Sequence, residues 1–268
     1  MNDSATSRLD RVMVERAVAR SRATARELIE DGAVTVNGRV ATKASYAVVE
    51  ADRIEVVGDG PAWVGRGAAK LDAAMNRWPT LREQVAGASC VDVGASTGGF
   101  TQVLLHYGAE HVIAIDVGTG QLASAIARDD RVEDRSTTHV LDVTAHDLHG
   151  PISVIVVDLS FISLRRVLDH LASWCAEHTS IVVLVKPQFE VGREALGRGG
   201  VVRSPRSRVM ALDTVLDAAY LAGLGLRGAL TSPITGTQGN VEYLLWVGRQ
   251  QPGMMDQADA HALIRSVT

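Results

Sequence analysis

The sequence predicts an α/β protein: a Rossmann-like sheet of seven strands, the last of them antiparallel, preceded by a small α+β unit. Three observations carry this. From Ser89 onward, short runs rich in Val and Ile alternate with segments of helical spacing, the pattern of a largely parallel sheet covered on both faces. Cys90-Val-Asp-Val-Gly94-Ala-Ser-Thr-Gly98-Gly99-Phe100 passes from a β-branched run through a glycine-rich turn into a helix start. Ahead of both, residues 7–58 hold two short amphipathic segments and an Asn-Gly hairpin, and Gly58-Asp-Gly-Pro61 is turn chemistry that sets them apart. The expected organisation is a domain over 1–59, a linker over 60–66 and a large domain over 67–268.

In order along the chain, Leu9, Val12, Met13 and Ala17 make the apolar stripe of a first helix, with Arg8, Arg11, Arg16 and Arg20 around it. Ser21 is an N-cap for a second helix that Gly32 closes. Val34 to Val40 folds back at Asn37-Gly38, and Arg53 to Val57 is the closing strand. Gly67 to Trp78 reads as a helix with Lys70 in its first turn. Sheet strands are expected at 89–93, 111–116, 131–135, 154–158, 181–186, 226–231 and 242–247, and helices at 100–107, 121–128, 163–177 and 207–223. The third strand is weak, because Glu133, Asp134 and Arg135 are unusual in a buried strand. The last strand follows the sixth after a short loop, which suits an antiparallel partner.

Composition narrows the function classes. A net charge of −4 means that any nucleic-acid contact comes from local basic patches. The only cysteines, Cys90 and Cys175, fall in a predicted strand and a predicted helix, which argues for a reducing cytoplasm and against a disulfide scaffold or a metal site. No apolar run reaches membrane-spanning length and the first eight residues hold no secretory leader pattern, so a soluble cytoplasmic monomer with no membrane partner is expected.

The glycine loop lacks the Gly-Lys-Ser/Thr of a phosphate cradle, and Ala95 and Ser96 stand where a dinucleotide loop has its second glycine. Its spacing, Asp-x-Gly-x-x-x-Gly-Gly-Phe, resembles the first motif of S-adenosylmethionine (SAM)-dependent methyltransferases. That resemblance implies cofactor contacts from Gly94, Ala95, Ser96, Thr97, Gly98, Gly99 and Phe100, and from Asp158 and Leu159. Asp116 ends the second strand about 20 residues on, where a carboxylate binds ribose hydroxyls of NAD or SAM alike. Val117 beside it and Asp142 are the candidates for the adenine. Topology then gathers four charges on the cofactor edge: Asp158 and Lys186 end parallel strands, Glu242 begins the antiparallel one, and Lys70 lies in a helix start facing the same way. Lys-Asp-Lys-Glu in these places resembles the catalytic tetrad of RNA ribose 2′-O-methyltransferases, with Lys186 the candidate for orienting and deprotonating the hydroxyl. No Asn/Asp-Pro-Pro-aromatic motif and no strand-end Pro-Cys is present, against amine methylation of bases and against pyrimidine C5 methylation.

The small unit, with Arg8-Leu9-Asp10 and Ser21-Arg22-x-x-Ala25-x-x-Leu28-Ile29, resembles the ribosomal-protein-S4-like RNA-binding domain. RNA contacts are expected from Arg8, Arg11, Arg20, Arg22, Arg26 and Arg66, and a backbone clamp from Arg193, Arg198, Arg203, Arg206 and Arg208 in the loop after Lys186-Pro-Gln-Phe-Glu190. With Asp158-Leu-Ser-Phe-Ile-Ser163 and Gly239-Asn-Val-Glu-Tyr243 added, nearly the whole chain resembles the TlyA (haemolysin A) family, which is similar to FtsJ-type enzymes. The resemblance implies SAM-dependent 2′-O-methylation of cytidines in 16S and 23S ribosomal RNA, with 30S and 50S subunits as partners and an effect on capreomycin and viomycin susceptibility. The rivals are an RNA binder without activity, a pore former as the haemolysin name suggests, and a pseudouridine synthase. The pore former lacks its sequence features and would leave the cofactor loop unexplained, the synthase has no synthase domain here, and the inactive binder is disfavoured by the complete tetrad.

Overall fold

Continuous β-branched runs fix the central sheet. The computed structural model describes residues 6–19, 21–30, 34–56 and 63–268, without the side chains of residues 27, 30, 40, 193 and 198. Its two compact units are Met1–Arg66 and Gly67–Thr268.

In the larger unit the strands are β6 (Ser89–Val93), β7 (His111–Asp116), β8 (Val132–Ser136), β9 (Val154–Val157), β10 (Ser180–Val185), β11 (Leu224–Thr231) and β12 (Tyr243–Arg249). They form one sheet in the order β11-β12-β10-β9-β6-β7-β8, in which only β12 runs against the others. β9 and β10 are buried at every residue, as strands covered on both faces must be. The helices are α3 (Ala68–Arg77), α4 (Pro79–Val85), α5 (Gly99–His106), α6 (Ser124–Ala127), α7 (Leu168–Ser173), α8 (Pro187–Glu190), α9 (Pro205–Leu221) and α10 (Gln257–Ser266).

The weak third strand is real because β8 is a sheet edge. An edge half in water accepts charge and is protected by it from pairing with another chain, and Glu133 and Arg135 pair with each other at 2.6 Å. Two helices are shorter than periodicity suggests. The one expected at 121–128 is only α6, since Gln121 and Ala123 are tied to Ser96 and Thr97 of the glycine loop before the helix begins. The one expected at 163–177 splits into a 3-10 turn, Leu164–Arg166, and α7, because a carboxylate from α8, that of Glu190, takes the Leu164 amide and the Ser163 hydroxyl at its start. Sequence periodicity misses α10, which Asp256 caps and whose Ala260 and Ile264 are fully buried.

In the smaller unit, β1 (Ser7–Arg8), α1 (Leu9–Glu15), α2 (Arg22–Glu30), β2 (Val34–Val36), β3 (Arg39–Val40), β4 (Ala47–Val48) and β5 (Ile54–Val56) enclose a core of Leu9, Met13, Ala25, Ile29, Val34 and Val48. Ser21 caps α2 through the Thr24 amide. Asn37 and Gly38 take φ of 52° and 76° and turn β2 into β3, as an Asn-Gly pair should. The C-capping Gly32, the turn at 58–61 and Arg20 lie outside the described residues. Among the described residues no helix is long and apolar enough to cross a membrane.

Candidate active site

β6 ends in the glycine loop, and its geometry explains its glycines. Gly94 and Gly98 have φ of 86° and 88°. A Cβ on Gly94 would overlap the backbone carbonyl of Asp158, so the loop lies directly against the end of β9. Asp116, at the end of β7, accepts the Ser96 amide at 2.8 Å and the Gly118 amide at 2.7 Å, one on each carboxylate oxygen. Each oxygen keeps a lone pair for a ribose hydroxyl. Val117 follows it with an apolar side chain 66% exposed, and Leu141 and Asp142 are exposed in the turn after β8 on the same edge. Beneath the loop Asp92 is fully buried; Oδ2 accepts from Thr101 Oγ1 at 2.6 Å, while Oδ1 has no partner. Burial pushes the Asp92 carboxyl up to about 7, and the nearby Asp158 and Asp116 charges add to the rise. Open glycine backbone, a half-used carboxylate, exposed apolar surface and an orphaned buried acceptor are the features an adenosyl amino acid with an ammonium group requires.

The four expected charges form two ion pairs. Lys70 Nζ lies 2.5 Å from Glu242 Oε2, with both side chains buried. Gly236 makes room for this, since a Cβ there would fall on the Glu242 carboxylate. Lys186 Nζ lies 2.7 Å from Asp158 Oδ1, short but not aligned as a hydrogen bond, and donates to Ser160 Oγ at 2.8 Å. Gly67, just ahead of Lys70, packs its Cα side against Asp158 Oδ2, so α3 and the end of β9 meet and the two pairs belong to one site.

Sequence reasoning missed what surrounds the pairs. Phe161 is 91% exposed, holds φ of 66°, and meets Phe189 in a tilted ring contact at 5.3 Å; the Phe189 ring lies 6.0 Å from Lys186 Nζ. Positive φ is uncommon for a bulky residue and marks a constrained loop. Glu190 binds this loop to its neighbour, accepting from Ser163 Oγ at 2.6 Å and the Leu164 amide at 2.9 Å. Buried Asn240 does the same for the arginine-rich loop, accepting the Val202 amide and donating to the Gly200 carbonyl. The signal was an aromatic or carboxylate inside the motifs already singled out. Arg203 and Arg206 are exposed beyond that clasp, while the side chains of Arg193 and Arg198 lie outside the described residues.

In the smaller unit, Arg8, Arg22 and Arg26 all pair with buried Asp10, whereas Arg11 pairs with Glu15. Arg66 is half-buried.

A Rossmann-like sheet whose glycine loop adjoins a Lys-Asp-Lys-Glu cluster, carried with an α+β RNA-binding unit, defines a nucleic-acid methyltransferase class. The FtsJ-like methyltransferase pattern matches residues 63–249, the S4 domain pattern matches residues 7–54, and the chain belongs to the FtsJ-like methyltransferase family. It is 44% identical to the 16S/23S rRNA (cytidine-2′-O)-methyltransferase TlyA of Mycobacterium tuberculosis, over 91% of this chain and 90% of that protein. It is 35% identical to hemolysin A of Brachyspira hyodysenteriae, over 88% of this chain and 98% of that one. Among solved structures, one described as a hemolysin from Streptococcus thermophilus superposes with a TM-score of 0.74 at 31% identity, covering 98% of this chain and 96% of that one.

Proposed function

We propose that this chain uses SAM to methylate the ribose 2′-oxygen of cytidines in 16S and 23S ribosomal RNA, acting in the cytoplasm on 30S and 50S subunits. Its domains would be residues 1–59 for RNA binding and 67–268 for catalysis, joined by 60–66. The observation that carries the reading is the Lys186–Asp158 pair at the end of β9, directly against the glycine loop.

Gly94 to Phe100, Asp116, Val117, Asp142, Asp158 and Leu159 would hold the cofactor, which supplies an electrophilic sulfonium methyl. The chain must present a hydroxyl that is a very weak acid and take its proton. Asp158 and Ser160 hold the Lys186 amine in place, leaving its remaining valence for the 2′-oxygen. In its neutral form Lys186 accepts the hydroxyl proton on Nζ as the oxygen gains the methyl, and Asp158 stabilises the ammonium that results. Lys70, locked on Glu242, fixes the wall opposite. Phe161 offers an exposed ring on which a base taken out of its stack can rest. Arg203 and Arg206, with Arg193, Arg198 and the arginines of the smaller unit (Arg11, Arg20 and Arg66 among them), would hold phosphates.

The test is transfer of label from tritiated SAM to purified small and large subunits from a strain lacking the gene, with Lys186→Ala in parallel and mapping of ribose methylation. Label at cytidine 2′-oxygens that vanishes in the variant is expected. Cofactor binding without transfer to either subunit would refute the reading.

A further inference from the structure

Arg8, Arg22 and Arg26 arrive from three places in the smaller unit: ahead of α1, at the first position of α2, and one turn further along it. All three converge on one carboxylate. Arg8 Nε donates to Asp10 Oδ1 at 3.0 Å, and Arg22 Nη2 and Arg26 Nε donate to Oδ2 at 2.9 Å and 3.2 Å. The Asp10 side chain has no exposed surface, while the three arginine side chains are 49%, 52% and 51% exposed. The anion is therefore inside and the guanidinium groups face out. Among the described side chains one carboxylate faces three cations, so the cluster holds more positive than negative charge and most of its N–H donors are not spent on Asp10.

The other described arginines nearby are built differently. Arg11 and Glu15 pair one to one with both sides exposed, which leaves no net charge. Arg16 spends its guanidinium on the carbonyls of Val49, Glu50 and Asp52. Compared with these two, the Asp10 cluster has charge, free donors and fixed geometry together.

We propose that Asp10 is a positioning residue that assembles Arg8, Arg22 and Arg26 into a docking site for neighbouring phosphates of the RNA backbone. This rests on the reading of the smaller unit as RNA-binding and adds what organises the contact. A free arginine must give up rotamer freedom to grip a phosphate, whereas one already held by a carboxylate loses little more. The site thus selects phosphates at a fixed spacing, a matter of RNA shape, with Asp10 itself touching no RNA.

The sign of one substitution separates this from plain electrostatics. Asp10→Asn removes a negative charge, and if charge alone governed binding the variant would bind RNA more tightly. Positioning predicts the reverse: at least tenfold weaker binding of the full chain to 30S or 50S subunits, with KM raised and kcat little changed. Arg22→Lys and Arg26→Lys keep the charge but lose the fork, and each should weaken binding nearly as much as its alanine counterpart. The lysine variants decide the matter should Asp10→Asn fail to fold. Binding by Asp10→Asn equal to or tighter than the unaltered chain, or lysine variants that bind as well as it does, would overturn the proposal. Absence of subunit binding by the unaltered chain would instead overturn the RNA-binding reading beneath it.

Discussion

Breaking the Lys70–Glu242 pair strands a charge in a dry place. The two side chains are 7% and 3% exposed and their charged atoms are 2.5 Å apart. Removing one partner of a buried pair costs about 3–5 kcal/mol, whereas an exposed pair contributes about 0–1 kcal/mol. Lys70→Met and Glu242→Gln should therefore each destabilise the larger unit by about 3–5 kcal/mol. With a urea dependence of about 2 kcal/mol per molar, that lowers the midpoint by roughly 1.5–2.5 M. The double variant K70M/E242Q removes both charges and should fall well short of the sum of the two single losses, since no ion is left buried alone. Tryptophan fluorescence can follow the transition, because Trp78 and Trp246 lie 5.6 Å apart in this unit. Methyl transfer should stay lost in the double variant although its stability returns. Single variants within about 1 kcal/mol of the unaltered chain, or strictly additive losses, would refute the argument that this pair is a buried, coupled one.

Asp92 gives a pH prediction: its folded carboxyl is raised from 3.8 to about 7, so the proton-bound form stabilises the fold, fully below about 3.8 and decreasingly as pH rises through about 7. The stability of Asp92→Asn relative to the unaltered, cofactor-free chain should accordingly climb across that window and then level, as thermal unfolding at a series of pH values will report; a flat difference would count against the raised carboxyl. Phe161→Ala should leave unfolding untouched, the ring being 91% exposed, and cut kcat/KM on subunits by roughly 5- to 150-fold for about 1–3 kcal/mol of lost base stacking, whereas unchanged kinetics would remove Phe161 from the substrate site. Gly94→Ala forces a left-handed alanine into the Asp158 carbonyl and should abolish SAM binding by calorimetry; Gly67→Ala, whose Cβ would sit an ordinary 3.7 Å from Asp158 Oδ2, should bind nearly as before.

The strand order and the converging charges were legible because they follow from periodicity and from one topological rule, that strand ends share an edge. Lys70, Asp158, Lys186 and Glu242 needed only their positions within elements to be placed together. What could not be read was who holds whom. Sequence gathered two lysines and two acids on one edge without pairing them, whereas folding assigns each lysine its own carboxylate. Asp10 was visible only as part of a helix opening, because the partners that give it meaning lie 12 and 16 residues away on another helix. The charges of β8 made a strand that was expected look weak, because strand propensity reads a residue against an average buried strand and an edge obeys different solvation. The 3-10 turn at Leu164 was illegible because the carboxylate that takes its first amide, Glu190, is 26 residues distant and belongs to α8.

The difference in burial between the two ion pairs explains why the site needs both. Lys70 and Glu242 are nearly sealed, so a substrate hydroxyl cannot reach them, and their interaction is spent on the shape of the site. Lys186 and Asp158 are 11% and 21% exposed, open enough for a ribose and enclosed enough to keep bulk water from competing for the amine. Glu190 and Ser160 hold the loops around the open pair, which spares it from having to stabilise the fold. Each pair sets one lysine against one acid, so neither presents the excess positive charge that would draw phosphate into the reacting position. On the reading proposed above, phosphates are gripped by arginines, the cluster on Asp10 among them, which keeps charge attraction for docking and leaves the tetrad to geometry.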